Sequence, residues 1–263
     1  GELSKADIFG VLEPIWRSKH ETARRLKQRI QRVFTYAKAQ GWCSGDNPAS
    51  DQAGLLDLLG NLKPEPNHFL ALDWRKAPTF YQSIAQAKDR GSLALLFILL
   101  TAKRASECRL AKWSEFDLDG AMWIIPAIRM KKGKEHRIPL CAEAVEILEE
   151  LKAVRVGRFV FPSMRKVKGP EQPMSTAAMS SVLKRMKRLD ITVHGFRSTF
   201  RDWVAERTSF PDRVAEMALA HKLKDGVEAA YQWGDLMDKR KNLMEAWADY
   251  CLPKKNNVTR IRA

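Results

Sequence analysis

The chain has 263 residues, 45% of them hydrophobic, enough for one large or two modest domains with packed cores. Its 46 lysines and arginines outnumber 31 aspartates and glutamates, and the resulting charge of +15 with a pI near 9.8 suits a polyanion, nucleic acid ahead of an anionic membrane, rather than an acidic small molecule. The longest apolar run, SLALLFILLT at 92–101, is too short to span a bilayer, no signal peptide opens the chain, and four scattered cysteines (Cys43, Cys108, Cys141, Cys251) write neither a disulfide framework nor a zinc ribbon, so the reading is of a cytosolic chain with reduced, packing thiols.

In chain order, the first sixty residues predict two helices, one with Leu12, Ile15 and Trp16 on its apolar stripe and one with Leu26, Ile30, Val33, Phe34 and Ala37. The second carries Arg24, Arg25, Lys27, Arg29 and Arg32, ends at Gly41, and has few acids between Ala23 and Gln40. That pattern predicts contact with a phosphate backbone more than a solvated, self-neutralised face. SGDNPAS then makes a loop before a short helix at 51–59. LKPEPNHFLALDWRKAP holds three prolines and no sustained period, as linkers do. The expected organisation is a small helical domain at 1–62, a linker at 63–78, a larger domain at 79–253 and a basic tail at 254–263.

Beyond the linker, helices are expected at 79–90, 92–101 and 105–111, then two strands, MWIIPA and HRIPL, joined by the turn KKGKE. Helices resume at 142–153, 175–189, 194–207, 211–219 and 236–250. The predicted fold class is mostly α, with a small antiparallel sheet making the second domain α+β. Trp113, Trp123 and Met130 read as core residues, and Tyr250 as a packing residue closing an amphipathic helix with Leu243, Ala246 and Trp247.

Within this frame HGFR places His194 and Arg197 three residues apart, on one helix face, where both can address the same small anion. Each motif alone is weak, but their order is specific. Arg104 stands in TAKRASE after the apolar helix, a lysine-bearing hairpin follows in RMKKGKEHRIPL, then HGFR, then His221 in LAHK, and ten residues later Tyr231 in AAYQW. The five histidines (His20, His68, His136, His194, His221) form no HExxH or close Cys/His pattern and no acid triplet accompanies them, so neither a metal nor another cofactor is expected.

This order resembles the catalytic domain of the tyrosine recombinases, the lambda integrase-like enzymes, and WSEFDLDGAMWIIPAIRMKKGKEHRIPL and AAYQWGDLMDKRKNLMEAWADYC bring it closest to integrases of phages and genomic islands. Residues 1–62 are similar to that family's core-binding domain through ETARRLKQRIQRVFTYAKAQGW and NPA. The resemblance implies Tyr231 as nucleophile, Arg104 and Arg197 as phosphate-binding arginines, and His194 and His221 as their partners. It favours Lys131 over Lys132 or Lys134 as the acid for the leaving oxygen. Glu107 matches an acidic residue that orients the arginine or a histidine. The chemistry agrees with these residue types. Paired guanidinium hydrogen bonds suit the charge on a phosphorane-like transition state, and a phenol with an ordinary pKa of about 10 needs a base or nearby cations to attack at neutral pH.

The implied function is site-specific recombination through a 3′-phosphotyrosine, integrating or excising a mobile element. A type IB topoisomerase-like nicking-closing enzyme and a non-cleaving DNA-binding relative stand as alternatives. The implied partners are double-stranded DNA attachment sites, further protomers in a tetramer on DNA from a chain that is monomeric when free, and accessory DNA-bending or directionality proteins. The implied place is the bacterial cytoplasm, at the nucleoid. The chain opens on GELSKAD without an initiator methionine, and the resemblance implies a further arm-binding domain ahead of it. One departure stands out: Ala102 occupies a position where the family usually has glycine, and alanine fits there if the backbone stays in an ordinary region.

Overall fold

The structure, a computed structural model, describes residues 3–51, 54–62, 70–130, 133–163, 169–221 and 235–252. The chain divides into two compact units, Gly1–His68 and Phe69–Ala263.

In the first unit α1 (Lys5–Trp16) starts at a reciprocal cap, in which Asp7 N donates to Ser4 Oγ at 3.3 Å and Ser4 N to Asp7 Oδ2 at 2.8 Å. Ile8, Leu12 and Trp16 recur every fourth residue and are buried. They pack with Ala23 of α2 (His20–Ala39) and with Leu55 and Leu59 of α3 (Leu55–Leu59). Val33 differs from the expected stripe and is 67% exposed. The inward face of α2 is centred on Ala23, Lys27, Ile30 and Phe34, which leaves Val33 at its rim. Helix α2 ends two residues before Gly41, which adopts φ +72°, while Gly41 N and Trp42 N donate back to the Lys38 and Ala37 carbonyls, each at 3.0 Å.

The second unit is built around α5 (Arg90–Thr101), whose residues from Ser92 to Thr101 are all buried. A helix apolar on every face is a central one. Around it pack α4 (Ala77–Ala85), α7 (Ala142–Ala153), α8 (Ala178–Arg185), α9 (Gly195–Arg207) and α11 (Met237–Cys251). Short α6 (Ala105–Arg109) follows α5, and α10 (Asp212–Ala218) packs on α9 and α11. Trp247 of α11 donates its indole N–H to the Leu99 carbonyl at 2.8 Å, pinning the last helix to the central one.

A three-stranded antiparallel sheet of β1 (Phe116–Asp117), β2 (Met122–Ile125) and β3 (His136–Pro139) completes the unit, with Trp123 opposite Ile138 and Ile125 opposite His136. Trp123 and Ile125 face inward, and Trp123 lies 5.2 Å from Phe116 and 5.5 Å from Phe97 of α5. The fold is mostly α with this one small sheet, and Trp113, Trp123 and Met130 are buried in its core. Among the described residues no helix is long and apolar enough to cross a membrane.

Residues 70–78, read from the prolines as linker, are built into the second unit. Leu72 and Ala77 join its core, and the Leu70 and Leu72 carbonyls accept from Thr192 N at 2.9 Å and Thr199 Oγ1 at 2.7 Å. The tail at 254–263 lies outside the described residues.

Candidate active site

Helix α5 stops at Ala102, which takes φ +51° and ψ +31°. The condition on which alanine fits easily there is not met: alanine occupies a left-handed turn, at a cost of about 1–2 kcal/mol that glycine would avoid. The reversal puts Arg104 at the N-cap of α6, facing Glu107. Arg104 N donates to Glu107 Oε2 at 3.0 Å and Arg104 Nη1 to Glu107 Oε1 at 2.7 Å. Burial pushes the Glu107 carboxyl up, but cationic neighbours and the Arg104 hydrogen bonds outweigh it and hold the group below its ordinary value. It remains a carboxylate that fixes one edge of the Arg104 fork and leaves that side chain 26% exposed.

Arg197 comes from the first turn of α9 and is 4% exposed. Its Nη1 donates to the Ala102 carbonyl at 2.7 Å, its Nη2 to the Leu219 carbonyl at 2.6 Å, and Nη2 also meets His221 Nε2 at 2.9 Å. Two carbonyls from separate turns thus set the guanidinium plane. Burial and then the Arg104 charge lower its pKa to about 10, so it stays charged at neutral pH. Glycine at 195 is required because the chain crosses here. A Cβ on Gly195 would sit 2.2 Å from the Leu70 carbonyl oxygen and 2.8 Å from Ala71 Cα.

His194 precedes α9, and its pKa is lowered by burial first and then by Arg197, Arg104 and His221. His221 follows α10, with Nδ1 2.8 Å from Glu216 Oε2. Burial lowers its pKa too, Glu216 opposes that, and Arg197 and Arg104 add to it. Both imidazoles are neutral at physiological pH. The partners of His221 assign its tautomer: Nδ1–H donates to the carboxylate, and Nε2 accepts from Arg197. Arg104, His194, Arg197 and His221, some 117 positions apart at the extremes of the sequence, are thus gathered where both guanidinium charges bear on both imidazoles.

Lys131 and Tyr231 lie outside the described residues, as does Lys132. Lys134 is exposed. Just ahead of the hairpin turn, Arg129 donates to the Glu115 carboxylate and, at 2.5 Å, to the Glu107 carbonyl, tying this end of β2 to the segment that holds Arg104. Among the described residues no three histidine, cysteine, aspartate or glutamate side chains gather as metal ligands.

In the first unit, Arg24 and Arg25 share Glu21, at 3.0 and 2.7 Å, and like Arg29 and Arg32 are exposed. Lys27 differs. It is 4% exposed and its ammonium bonds the Asp51 carboxylate, as a buried charge must be paired to be tolerated. It closes the unit internally instead of facing a partner.

Two further buried residues, Lys103 and His136, are missing from the site residues of the sequence reading. Lys103 is 2% exposed, and its Nζ donates to the Ala218 carbonyl and lies 3.0 Å from Nε2 of buried His136. The inward alternation of β3 with Ile138 was the available signal for His136; a lysine in a tight turn has none. Burial drives the Lys103 amine well below its ordinary value; Glu107 opposes this, while Arg197, Arg240 and Arg104 reinforce it. The unfolded chain binds this proton and the folded one releases it, so stability rises with pH between the lowered pKa and the ordinary value near 10.4, at about 1.4 kcal/mol per pH unit for one proton. Lys103→Met is expected to flatten that slope in denaturant titrations across this window. Identical slopes for the two proteins would mean Lys103 stays charged when folded.

Comparison with known proteins places this cluster in context. The profile of the "Phage integrase family" matches residues 72–232, and that of the "Phage integrase central domain" matches residues 1–53. Prophage integrase IntA of Escherichia coli (strain K12) is 33% identical over 260 residues, covering 94% of this chain and 59% of that protein. The integrase of Enterobacteria phage P4 is 32% identical, covering 88% of this chain and 55% of that one. The chain thus spans a little over half the length of these relatives. In fold it is similar to a lambda integrase dimer bound to a COC' core site, with a TM-score of 0.60 at 20% identity over 84% of this chain and 80% of that one. It is likewise similar to a lambda integrase tetramer bound to a Holliday junction, at 0.60 and 18% over 87% and 64%. Because the first profile runs unbroken from the turn before α4 past the Ala102 reversal, HGFR and His221, the chain belongs to the phage integrase family, the tyrosine recombinases.

Proposed function

We propose that this chain carries the core-binding and catalytic parts of a site-specific DNA recombinase that integrates or excises a mobile element. The observation that carries the reading is the Arg104, His194, Arg197 and His221 cluster, in which two fixed guanidiniums and two neutral imidazoles share one small volume. Such a site is preorganised for a phosphodiester gaining charge on its non-bridging oxygens.

Arg104 and Arg197 grip those oxygens and His194 adds a hydrogen bond. The Tyr231 oxygen attacks phosphorus, its proton passing to His221 Nε2 once the phosphate replaces the imidazole as a partner of Arg197 Nη2. The P–O bond to the 5′-oxygen breaks, Lys131 donates a proton to that oxygen, and a 3′-phosphotyrosine remains. A 5′-hydroxyl from a second strand reverses these steps on a new partner, so no external energy source is consumed. Arg24, Arg25, Arg29 and Arg32 on the exposed face of α2 contact the DNA backbone, making affinity salt-dependent. Double-stranded attachment sites are the substrates, a tetramer on DNA is the working assembly, accessory bending or directionality proteins set its direction, and the bacterial nucleoid is its place. Lambda integrase, solved as a core-site dimer and as a junction-bound tetramer, supports the DNA-bound assembly in that reading.

The test is a nicked duplex carrying candidate attachment DNA, from which the cut end diffuses away and traps the intermediate. Covalent protein is expected on that sequence and not on a scrambled one. Adducts on every sequence would point to a topoisomerase-like enzyme, and none on any duplex would overturn the proposal.

A further inference from the structure

Imidazole presents two faces, and a neutral ring has one N–H and one lone pair, so the group bound at Nδ1 decides whether Nε2 gives or takes a proton. In His221 that group is Glu216, at 2.8 Å. Burial pushes the Glu216 carboxyl up, but its bonds to Arg201 and His221 bring it below its ordinary value. An ionised carboxylate only accepts, so the ring proton resides on Nδ1 and the Nε2 lone pair faces the phosphate-binding cluster. Resting there is Arg197 Nη2, at 2.9 Å.

Glu216 is itself held. It lies on α10, and its backbone carbonyl accepts from His221 N at 2.9 Å, which sets the spacing between carboxylate and ring. Its second oxygen accepts from Arg201 Nε at 2.7 Å, and Arg201 Nη2 lies 3.2 Å from Asp212 Oδ2 at the start of the same helix. Arg201 is one turn beyond Arg197 on α9. One face of α9 therefore reaches His221 twice, directly through Arg197 and indirectly through Arg201 and Glu216.

We propose that Glu216 is the positioning residue that makes His221 a proton acceptor for the attacking phenol, with Arg201 and Asp212 fixing Glu216 in turn. The inference rests on the recombinase reading above. Among the described residues, the groups facing His221 are Arg197, Arg104 and His194 on the site side and Glu216 behind it, with Arg201 and Asp212 beyond Glu216 and Glu107 beneath Arg104. Among the described residues Glu216 is the one anion hydrogen-bonded to the ring. It stabilises the imidazolium formed when Nε2 takes the phenol proton.

Glu216→Gln replaces an acceptor-only group with an amide that no longer fixes the tautomer and carries no charge. Single-turnover cleavage of the nicked substrate should fall on the order of 10²-fold. Its acidic limb, where His221 becomes protonated and stops accepting, should move to lower pH, because the anion that favours imidazolium is gone. Glu216→Asp keeps an acceptor-only carboxylate and should return the limb toward its wild-type position. DNA affinity, measured alongside, should hold in both variants and verifies folding. A lower plateau with an unmoved limb would reduce Glu216 to a structural contact and overturn the inference, as would an unchanged rate. His221→Gln separates the two levels: it should abolish the limb, and a limb that survives sinks the His221 base reading and this inference with it. A wild-type chain that forms no adduct fails at the recombinase reading instead.

Discussion

Tyr231→Phe is expected to abolish covalent protein–DNA adducts on a nicked substrate while leaving DNA affinity nearly intact, and Tyr250→Phe is expected to keep forming them. Phenylalanine removes the one oxygen able to join phosphorus and little else. Tyr250 is the rival near the end of the described chain, and its surroundings disqualify it. It lies on α11 between Trp247, at 5.9 Å and nearly parallel, Trp203 at 5.7 Å and Trp74 at 5.8 Å. Burial pushes its phenol above the ordinary value, the reverse of what a nucleophile needs. An adduct that persists in Tyr231→Phe, or that peptide sequencing maps to Tyr250, would overturn the proposed chemistry.

How far the sequence revealed this molecule depended on how local each feature is. Helix α7 was bounded correctly at 142 and 153, because its apolar period and polar flanks are self-contained. Strands β2 and β3 announced themselves by β-branched, alternating residues, whereas β1 has only two residues, Phe116 and Asp117, and no period can be read from two. The order of Arg104, HGFR, LAHK and Tyr231 pointed to the site without showing what supports it. Glu216, Lys103 and Gly195 act through partners 5, 33 and 125 positions away, His221, His136 and Leu70, and composition says nothing of such pairs. The basic run of α2 misled at Lys27 for the same reason, since its partner Asp51 is supplied by a distant loop. The three prolines near residue 70 suggested an independent linker, yet Leu72 is drawn into the core beneath α9.

Arg104→Lys and Arg197→Lys should not behave alike, although both exchange one cation for another. At position 104 the side chain is partly exposed beside Glu107, so a lysine keeps its charge and loses only the paired geometry. Cleavage should fall on the order of 10²-fold. At position 197 the side chain is buried, and burial pushes the neighbouring Lys103 amine well below its ordinary value. A lysine there should hold its proton less tightly than usual, so the transition state loses positive charge as well as the fork, and cleavage should fall by about 10³-fold or more. Arg197 reaches the Ala102 and Leu219 carbonyls from two different nitrogens, and a shorter side chain with one nitrogen should not keep both bonds in place. Leaving one buried carbonyl unpaired costs about 1–3 kcal/mol, so Arg197→Lys should also unfold at lower denaturant while Arg104→Lys does not. DNA affinity should change little in either if, as proposed, the two residues address the reacting phosphate and α2 supplies backbone contacts. Single-turnover cleavage and denaturant titration of both variants decide the matter. Equal losses of rate at the two positions, or an undiminished stability for Arg197→Lys, would mean that burial of Arg197 does not govern how it holds the phosphate.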